Sequence, residues 1–499
     1  MLRAPRPCLS LAAASAQTAP SREQEQISLH RSDLRAVVIG AGPAGSVSAA
    51  NLARRGYQVD VFERRSQPTE AQAASNRSYP MLLSERSLRA LDRAGLRPKF
   101  LEGTPFDGMV SLAQNTTIRF TSSSQHIVHR LQLGLQLIAA AQEAYPGQIR
   151  YHFDQQLEAV DFEEQQARFS STHGQQAGRH SYDLLIGADG ANSRVRELLQ
   201  AADTRNQSSV MVRAKSTYKT FHDLPPLPEG SSFVDGYEQH KPGQHMYMAL
   251  GKGKQPKVGT IAMWKNQQGH MCGMAALNHW KEWGHTPDEL TSSGLPLPEP
   301  WLHAIGQQFD EQDFNDFGRI VKCSRICGHR AALVGDAAHA VTSVLGQGCN
   351  TALSTCTALD KALAATDTSH TEQLDEVLEQ YNANWLPQAH ALQQLEYMSA
   401  LARQPADRVA LTPALTAWWM KGLMTSSTIA SLGLNKLNPS RFPNAFGTIQ
   451  ELQDPSLQYT DLLQRVYTRA AGFAVLAAAL LSGVGYAGWV VNAQLLHWV

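Results

Sequence analysis

Residues 35–63 open on a strand-length apolar run, AVVIG, pass through the small-residue stretch AGPAGSVSAANLARRG, and close on YQVDVFE, where apolar and polar positions alternate. That order predicts a strand, a helix stopped at Gly56, and a second strand. Two strands joined by one helix form a βαβ unit, which implies a parallel sheet with a right-handed crossover. The strand-to-turn-to-helix rhythm returns in LLIGADGANSRVR (Leu184–Arg196) and in AALVGDAAHA (Ala331–Ala340). VHRLQLGLQLIAAAQ (Val128–Gln142) repeats its apolar positions at helical spacing. Between 206 and 320 the chain is richer in Thr, Tyr, Met, Trp and Pro, with short strand-like runs such as QHMYMAL and KVGTIAMW. From about Ser354 onward the pattern is helical.

The expected organisation is therefore an α/β nucleotide-binding domain, 34–205 and 321–390, interrupted by a substrate-domain sheet over 206–320. A helical region over 391–469 follows. Ala470–Val491, AAGFAVLAAALLSGVGYAGWVV, carries no charge, and as a helix it would span roughly 33 Å at about 1.5 Å per residue, enough for a bilayer core. Arg465 and Arg469 flank it, and Trp489 and Trp498 suit an interface. A transmembrane helix is the expectation, with a buried core helix or an in-plane helix as the other readings. Residues 1–33 begin with an Arg-, Ser- and Ala-rich, acid-poor stretch that reads as a transit peptide or an unstructured tail. Together the two ends suggest an organelle membrane, mitochondrial or plastid.

Composition narrows the classes. The chain has 499 residues, 43% hydrophobic and 18% charged, a size that suits two or three domains. Lys plus Arg and Asp plus Glu both number 44, so no nucleic-acid surface is indicated. The six Cys do not form a disulfide framework, and Cys323 and Cys327 lack a second pair at zinc spacing. No metal is expected. No nucleophile–base triad or paired-carboxylate motif is evident either.

The chemistry-bearing residues lie in the turns. Gly40, Gly42 and Gly45 form G-x-G-x-x-G between a strand and a helix. The first allows the turn, the second lets a pyrophosphate approach the backbone, and the third lets helix and strand pack closely. The phosphates would meet the N–H groups at the helix start, near Ala44. Glu63 ends the second strand, where a carboxylate suits ribose hydroxyls; with Arg64 beside it, it closes the site. An acid there disfavours a 2′-phosphate, so FAD or NAD is expected rather than NADP. Gly335 and Asp336 repeat a strand-to-helix turn some 300 residues later. Asp336 can accept from a ribityl hydroxyl, and Gly346 and Gly348 let a loop lie against a flat ring. Asp189 either helps bind a nucleotide or caps the helix that follows it.

With GAGPAG, the motifs GADG (Gly187–Gly190) and GDAAHAVTSVLGQG (Gly335–Gly348) resemble the three fingerprints of the single-component FAD-dependent aromatic hydroxylases, over roughly residues 35–390. RSYPMLLSERSLRALDRAGL (Arg77–Leu96) and GQGCN are similar to the kynurenine 3-monooxygenase branch. The resemblance implies a glutathione-reductase-like Rossmann domain with an inserted mixed β-sheet. It implies FAD as cofactor, NAD(P)H and O2 as co-substrates, and hydroxylation of a small aromatic substrate through a flavin C4a-hydroperoxide. It assigns Arg130 to the FAD phosphates, with a plain surface Arg as the other reading. It assigns the N–H groups around Gly348 and Asn350 to the flavin edge, and Arg77 to a substrate carboxylate. Trp264, Tyr247 and Met263 are the candidate apolar wall of the substrate site, unless they are ordinary core. Two positions depart from the family pattern: Ser343, where Pro is usual, and Ser354, where the branch often carries an acid. These leave two further readings open. One is a flavin reductase of the same fold acting on a lipid-like substrate; the other is a non-catalytic flavin-binding membrane protein.

Overall fold

The computed structural model describes residues 34–468 except 70–79, 99–100, 102–104, 113–115, 120–124, 173–175, 213–216, 228–232, 234–236, 251–257, 267, 278–285, 313–314, 317–318, 366–372 and 403–450. The anticipated transit segment and the apolar run Ala470–Val491 lie outside these. Among the described residues no helix is long and apolar enough to cross a membrane.

A six-stranded sheet organises the nucleotide-binding half. Its strands are β1 (Arg35–Ile39), β2 (Gln58–Phe62), β3 (Ile149–His152), β4 (Leu184–Gly187), β5 (Cys327–Gly328) and β6 (Ala331–Leu333), in the spatial order β5-β6-β4-β1-β2-β3. All neighbours run parallel except the β5–β6 hairpin. Val37 and Val38 of β1, Val59 and Val61 of β2 and Leu184–Ile186 of β4 are buried, as expected where a parallel sheet is covered on both faces. Chain continuity explains little of this sheet. Its β4 and β6 strands pair side by side across nearly 150 residues, and the intervening chain leaves the domain and returns.

Six helices matter for the site: α1 (Pro43–Arg54), α2 (Glu85–Ala94), α3 (Arg130–Ala144), α4 (Arg194–Ala202), α5 (Gly348–Ala365) and α6 (Leu374–Ala402). One buried carboxylate joins three of them. Asp360 of α5 pairs with Arg54 (3.0 Å) and Arg55 (2.7 Å) at the end of α1, and with Arg93 of α2. Its side chain is wholly buried, so the charge depends on those partners.

A second, seven-stranded sheet has its own core. It contains Thr217–Phe221, His245–Leu250, Val258–Lys265 and Met271–Leu277, with Asn315–Asp316 at one edge. At the other edge it takes in Gly108–Ser111 and Thr116–Arg119, which precede the anticipated boundary at 206. Gly108–Ser111 runs parallel to His245–Leu250, so the sheet is mixed. Helices Thr286–Thr291 and Glu299–Asp310 cover one face, where Trp301, Ile305 and Phe309 meet Phe221, Tyr247, Ile261 and Met263.

Candidate functional site

The two distant glycine-rich turns meet. Gly40 has φ +103°, and its N–H donates to the Phe62 carbonyl at 2.7 Å. A Cβ on Gly40 would stand 2.5 Å from the Ala188 carbonyl oxygen, and one on Gly45 would stand 1.8 Å from that of Gly40. First and third glycines thus let protein approach protein. Gly42 differs: no heavy atom comes within 4 Å of its would-be Cβ. It is the N-cap of α1, has no side-chain cap, and is followed by Pro43. The N–H groups of Ala44 and Gly45 begin that helix and have no intrahelical acceptor, so the first turn offers donors and a positive dipole end to an anion.

Glu63 holds this turn from below. Its Oε2 accepts from Ala41 N–H and its Oε1 from Arg65 N–H, both at 3.0 Å. A carboxylate oxygen accepts two bonds, so both oxygens retain capacity for a hydroxyl. Arg64, next to it, is exposed.

The far half folds onto the near half at Gly335. Its φ is +59°, and a Cβ there would lie 3.1 Å from Ala44 Cβ and 3.2 Å from Ala352 Cβ. Arg196, 5% exposed, ties in the third turn by donating to the carbonyls of Ala191 and Ala337, both at 2.8 Å. Asp336 follows and is solvent-exposed, although protein surrounds it on most sides. Burial raises its pKa, and the charge of Arg130 at the start of α3 opposes that rise. The Cys349 thiol, pushed up to about 12 by burial, also feels Asp336 and Arg130. Arg130, Asp336 and the start of α5 are therefore close enough to feel one another's charge.

The loop from Ser343 to Asn350 is shaped by its backbone. The Ser343 carbonyl accepts from Gly346 N–H at 3.2 Å, and Gly346 has φ +64°. Gly348 opens α5, leaving N–H donors at another helix start. The Asn350 side chain is fully buried and engaged: its Oδ1 accepts from Ser84 N–H (2.9 Å) and Ser87 Oγ (2.5 Å), and its Nδ2 donates to the carbonyls of Leu82 (3.0 Å) and Gly346 (3.2 Å). Asn350 thus anchors the loop to α2, and only its N–H remains for a ligand. Ser354 donates to the Asn350 carbonyl at 2.8 Å, within its own helix.

Asp189 acts as a cap. Its Oδ2 accepts from Arg194 N–H (2.6 Å) and Val195 N–H (3.2 Å) at the start of α4, and burial still raises its pKa. Its Cα lies close beneath Gly40, so its backbone belongs to the turn cluster. Arg77 lies outside the described residues.

The anticipated apolar wall is corrected in part. Side chains alternate across a strand, and Tyr247 and Met263 fall on the helix-covered face, inside the second core. Trp264 falls on the other face, where its indole N–H donates to His129 Nε2 at 3.4 Å, next to Arg130. That face also carries Met109, Met246, Met248, Ala262 and Met274, all half-buried. It is apolar and turned towards the nucleotide-binding half. The sequence pattern hid this, because MYMAL is apolar on both faces.

Three features escaped the sequence reading: the Asp360 hub, the anchoring by Asn350, and His339. The last is 2% exposed, and its Nε2 accepts from Trp385 Nε1 at 3.0 Å. Burial holds its pKa down at about 4, so it is a neutral structural imidazole. Among the described residues no group of His, Cys, Asp and Glu could hold a metal ion.

Comparison with known proteins agrees with this geometry. The family described as an FAD binding domain matches residues 33–396. Kynurenine 3-monooxygenase of Salinispora arenicola is 31% identical over 349 residues, 68% of this chain and 74% of that protein. The enzyme of the same name from Salinispora tropica is 29% identical over 424 residues, 80% and 90% respectively. Among solved structures, 2-methyl-3-hydroxypyridine-5-carboxylic acid oxygenase shares the fold with a TM-score of 0.57 at 18% identity, covering 74% of this chain and 91% of its own.

Proposed function

This chain belongs to the FAD-dependent aromatic hydroxylases and is an FAD-dependent monooxygenase, and from that premise we propose that it hydroxylates a small aromatic substrate with NAD(P)H and O2. The observation that supports the reading is the close approach of Gly335 to Ala44, which brings the two glycine-rich turns together.

The residues present suit FAD. The open space at Gly42 and the uncapped start of α1 fit a pyrophosphate, and Arg130 would supply positive charge from the side of Asp336. Glu63 would take ribose hydroxyls, and Asp336 would take a ribityl hydroxyl. The N–H groups at the start of α5, at Gly348 and Asn350, would face the flavin edge and stabilise negative charge there. Bound FAD supplies the redox chemistry: it accepts reducing equivalents from NAD(P)H and, once reduced, activates O2 for insertion of one oxygen atom. The protein's share is to bind, orient and keep water out. The half-buried methionine face with Trp264 supplies the apolar side of that enclosure, and an unbranched Met adapts to a flat ring.

The test is NADPH and NADH oxidation by the FAD-loaded protein with a panel of aromatic substrates, kynurenine included. Oxygen incorporation and hydrogen peroxide are followed together. Substrate-stimulated oxidation with an oxygenated product supports the reading. Reduction of the flavin without oxygen incorporation favours a reductase and sinks it.

A further inference from the structure

The family match ends at residue 396, yet residues 451–468 return to the cofactor loop. Two clamps hold this segment. Arg86 of α2 donates to the Leu457 carbonyl at 2.8 Å and places its guanidinium 4.8 Å from the Tyr459 ring centre. Gln388 of α6 and Thr460 bond reciprocally: Gln388 Nε2 donates to Thr460 Oγ1 at 3.0 Å, and Thr460 N–H donates to Gln388 Oε1 at 3.1 Å. Between the clamps stands Tyr459, 1% exposed. Its hydroxyl accepts from Thr351 Oγ1 at 2.8 Å and donates to Gln347 Oε1 at 3.3 Å.

Gln347 sits between Gly346 and Gly348 and is fully buried, whereas both glycines are accessible. Its Nε2 has no partner among the described residues, so the amide is held through its oxygen alone. Its carbonyl accepts from Thr351 N–H at 2.8 Å, so both groups that meet Tyr459 belong to the start of α5. Burial raises the Tyr459 phenol, which keeps it a donor at neutral pH. A loop with glycines on both sides of one residue is loose unless something fixes that residue.

We propose that Tyr459 is a positioning residue for FAD, fixing the Gly346–Gly348 loop from its buried side through Gln347 and Thr351. The proposal rests on the reading of that loop as flavin-facing. It makes a segment beyond the family match part of the cofactor site, acting at one remove.

Full-length Tyr459→Phe keeps the ring and its contact with Arg86 and loses only the hydroxyl. Thr351→Val removes the other member of the relay, should the first variant fail to fold. Thr460→Ala, one residue away, loosens the segment without touching the relay. FAD titration of the apoprotein, the visible spectrum of the bound flavin and its midpoint potential are read for each. The expected result is FAD binding weakened about 10-fold, the scale of one buried hydrogen bond, with a displaced flavin spectrum, in Tyr459→Phe and Thr351→Val and not in Thr460→Ala. Wild-type affinity and spectrum in Tyr459→Phe overturn the proposal and leave the monooxygenase reading standing. An equal loss in Thr460→Ala also overturns it, because the segment would then act only by packing. A wild type that takes up FAD but oxygenates nothing ends the monooxygenase reading and leaves the comparison of variants valid.

Discussion

Gly335 and Ala44, almost 300 residues apart in sequence, stand so close that a single added carbon on Gly335 would sit 3.1 Å from the Ala44 side chain. The same carbon would press on Ala352, and the φ of +59° disfavours any L side chain. Gly335→Ala is therefore expected to cost on the order of 1–3 kcal/mol. Thermal unfolding of the apoprotein would show it, with weaker FAD uptake in the same preparation. Unchanged melting and unchanged titration would mean that the two turns are not locked together.

Glu63 is the other structural member of the near turn. Glu63→Ala strips the acceptor from the N–H groups of Ala41 and Arg65; the half-buried Ala41 bond costs about 1 kcal/mol, while the exposed Arg65 N–H turns to water. Glu63→Gln keeps one acceptor oxygen. FAD affinity should fall in the order wild type, Gln, Ala by fluorescence titration. Equal affinities would exclude the residue from the site.

Asn350 makes four side-chain bonds at zero exposure. Asn350→Leu, close in volume, leaves Ser84 N–H and Ser87 Oγ facing an apolar group, and denaturant unfolding should report a loss of roughly 2–4 kcal/mol. A loss under about 0.5 kcal/mol, the level of an ordinary surface change, would contradict that anchoring.

His339 gives stability a pH dependence with a definite sign. Its folded pKa, about 4, lies below the ordinary imidazole value of 6.5, because burial disfavours the cation. The unfolded chain therefore binds more protons between those two values, and stability falls as pH drops from about 6.5 towards 4. The full effect is about 3 kcal/mol. His390 and His126, both lowered by burial, add to the slope in the same direction. Urea unfolding across this window should show a shallower slope in His339→Asn than in the wild type, and a parallel slope in the variant would refute the assignment.

The methionine face is testable through coupling. Met248→Glu places a charge on the half-buried side of the sheet that faces the nucleotide-binding half. FAD affinity should stay at the wild-type value while the hydrogen peroxide released per NAD(P)H rises several-fold, because a charge admits water to an apolar enclosure. Tyr247→Phe, on the other face, should leave coupling unchanged. If both variants uncouple equally, the face does not line the substrate site.

The cofactor-binding turns were legible because glycine spacing records backbone demands that no other residue meets, as at Gly40, Gly45 and Gly335. Strand alternation was less legible. Tyr247 and Met263 look like wall residues in a run that is apolar throughout, and only pairing with Gly273 and burial under Phe309 reveal their side of the sheet. The strands at 108–119 were hidden for a related reason: they are four residues each and join a sheet whose other members begin about a hundred residues later. Asp360 carries no local signal either, since its three arginines lie far from it in sequence.

The Asp360 hub also bears on the order in which the protein is made. Arg54, Arg55 and Arg93 leave the ribosome more than 260 residues before the carboxylate that pairs with all three. Until it arrives, the ends of α1 and α2 carry clustered positive charge, and the first glycine-rich turn faces no second half. The N-terminal βαβ unit thus presents one half of a paired structure during synthesis, and its counterpart is added only once Gly335 and α5 have been made.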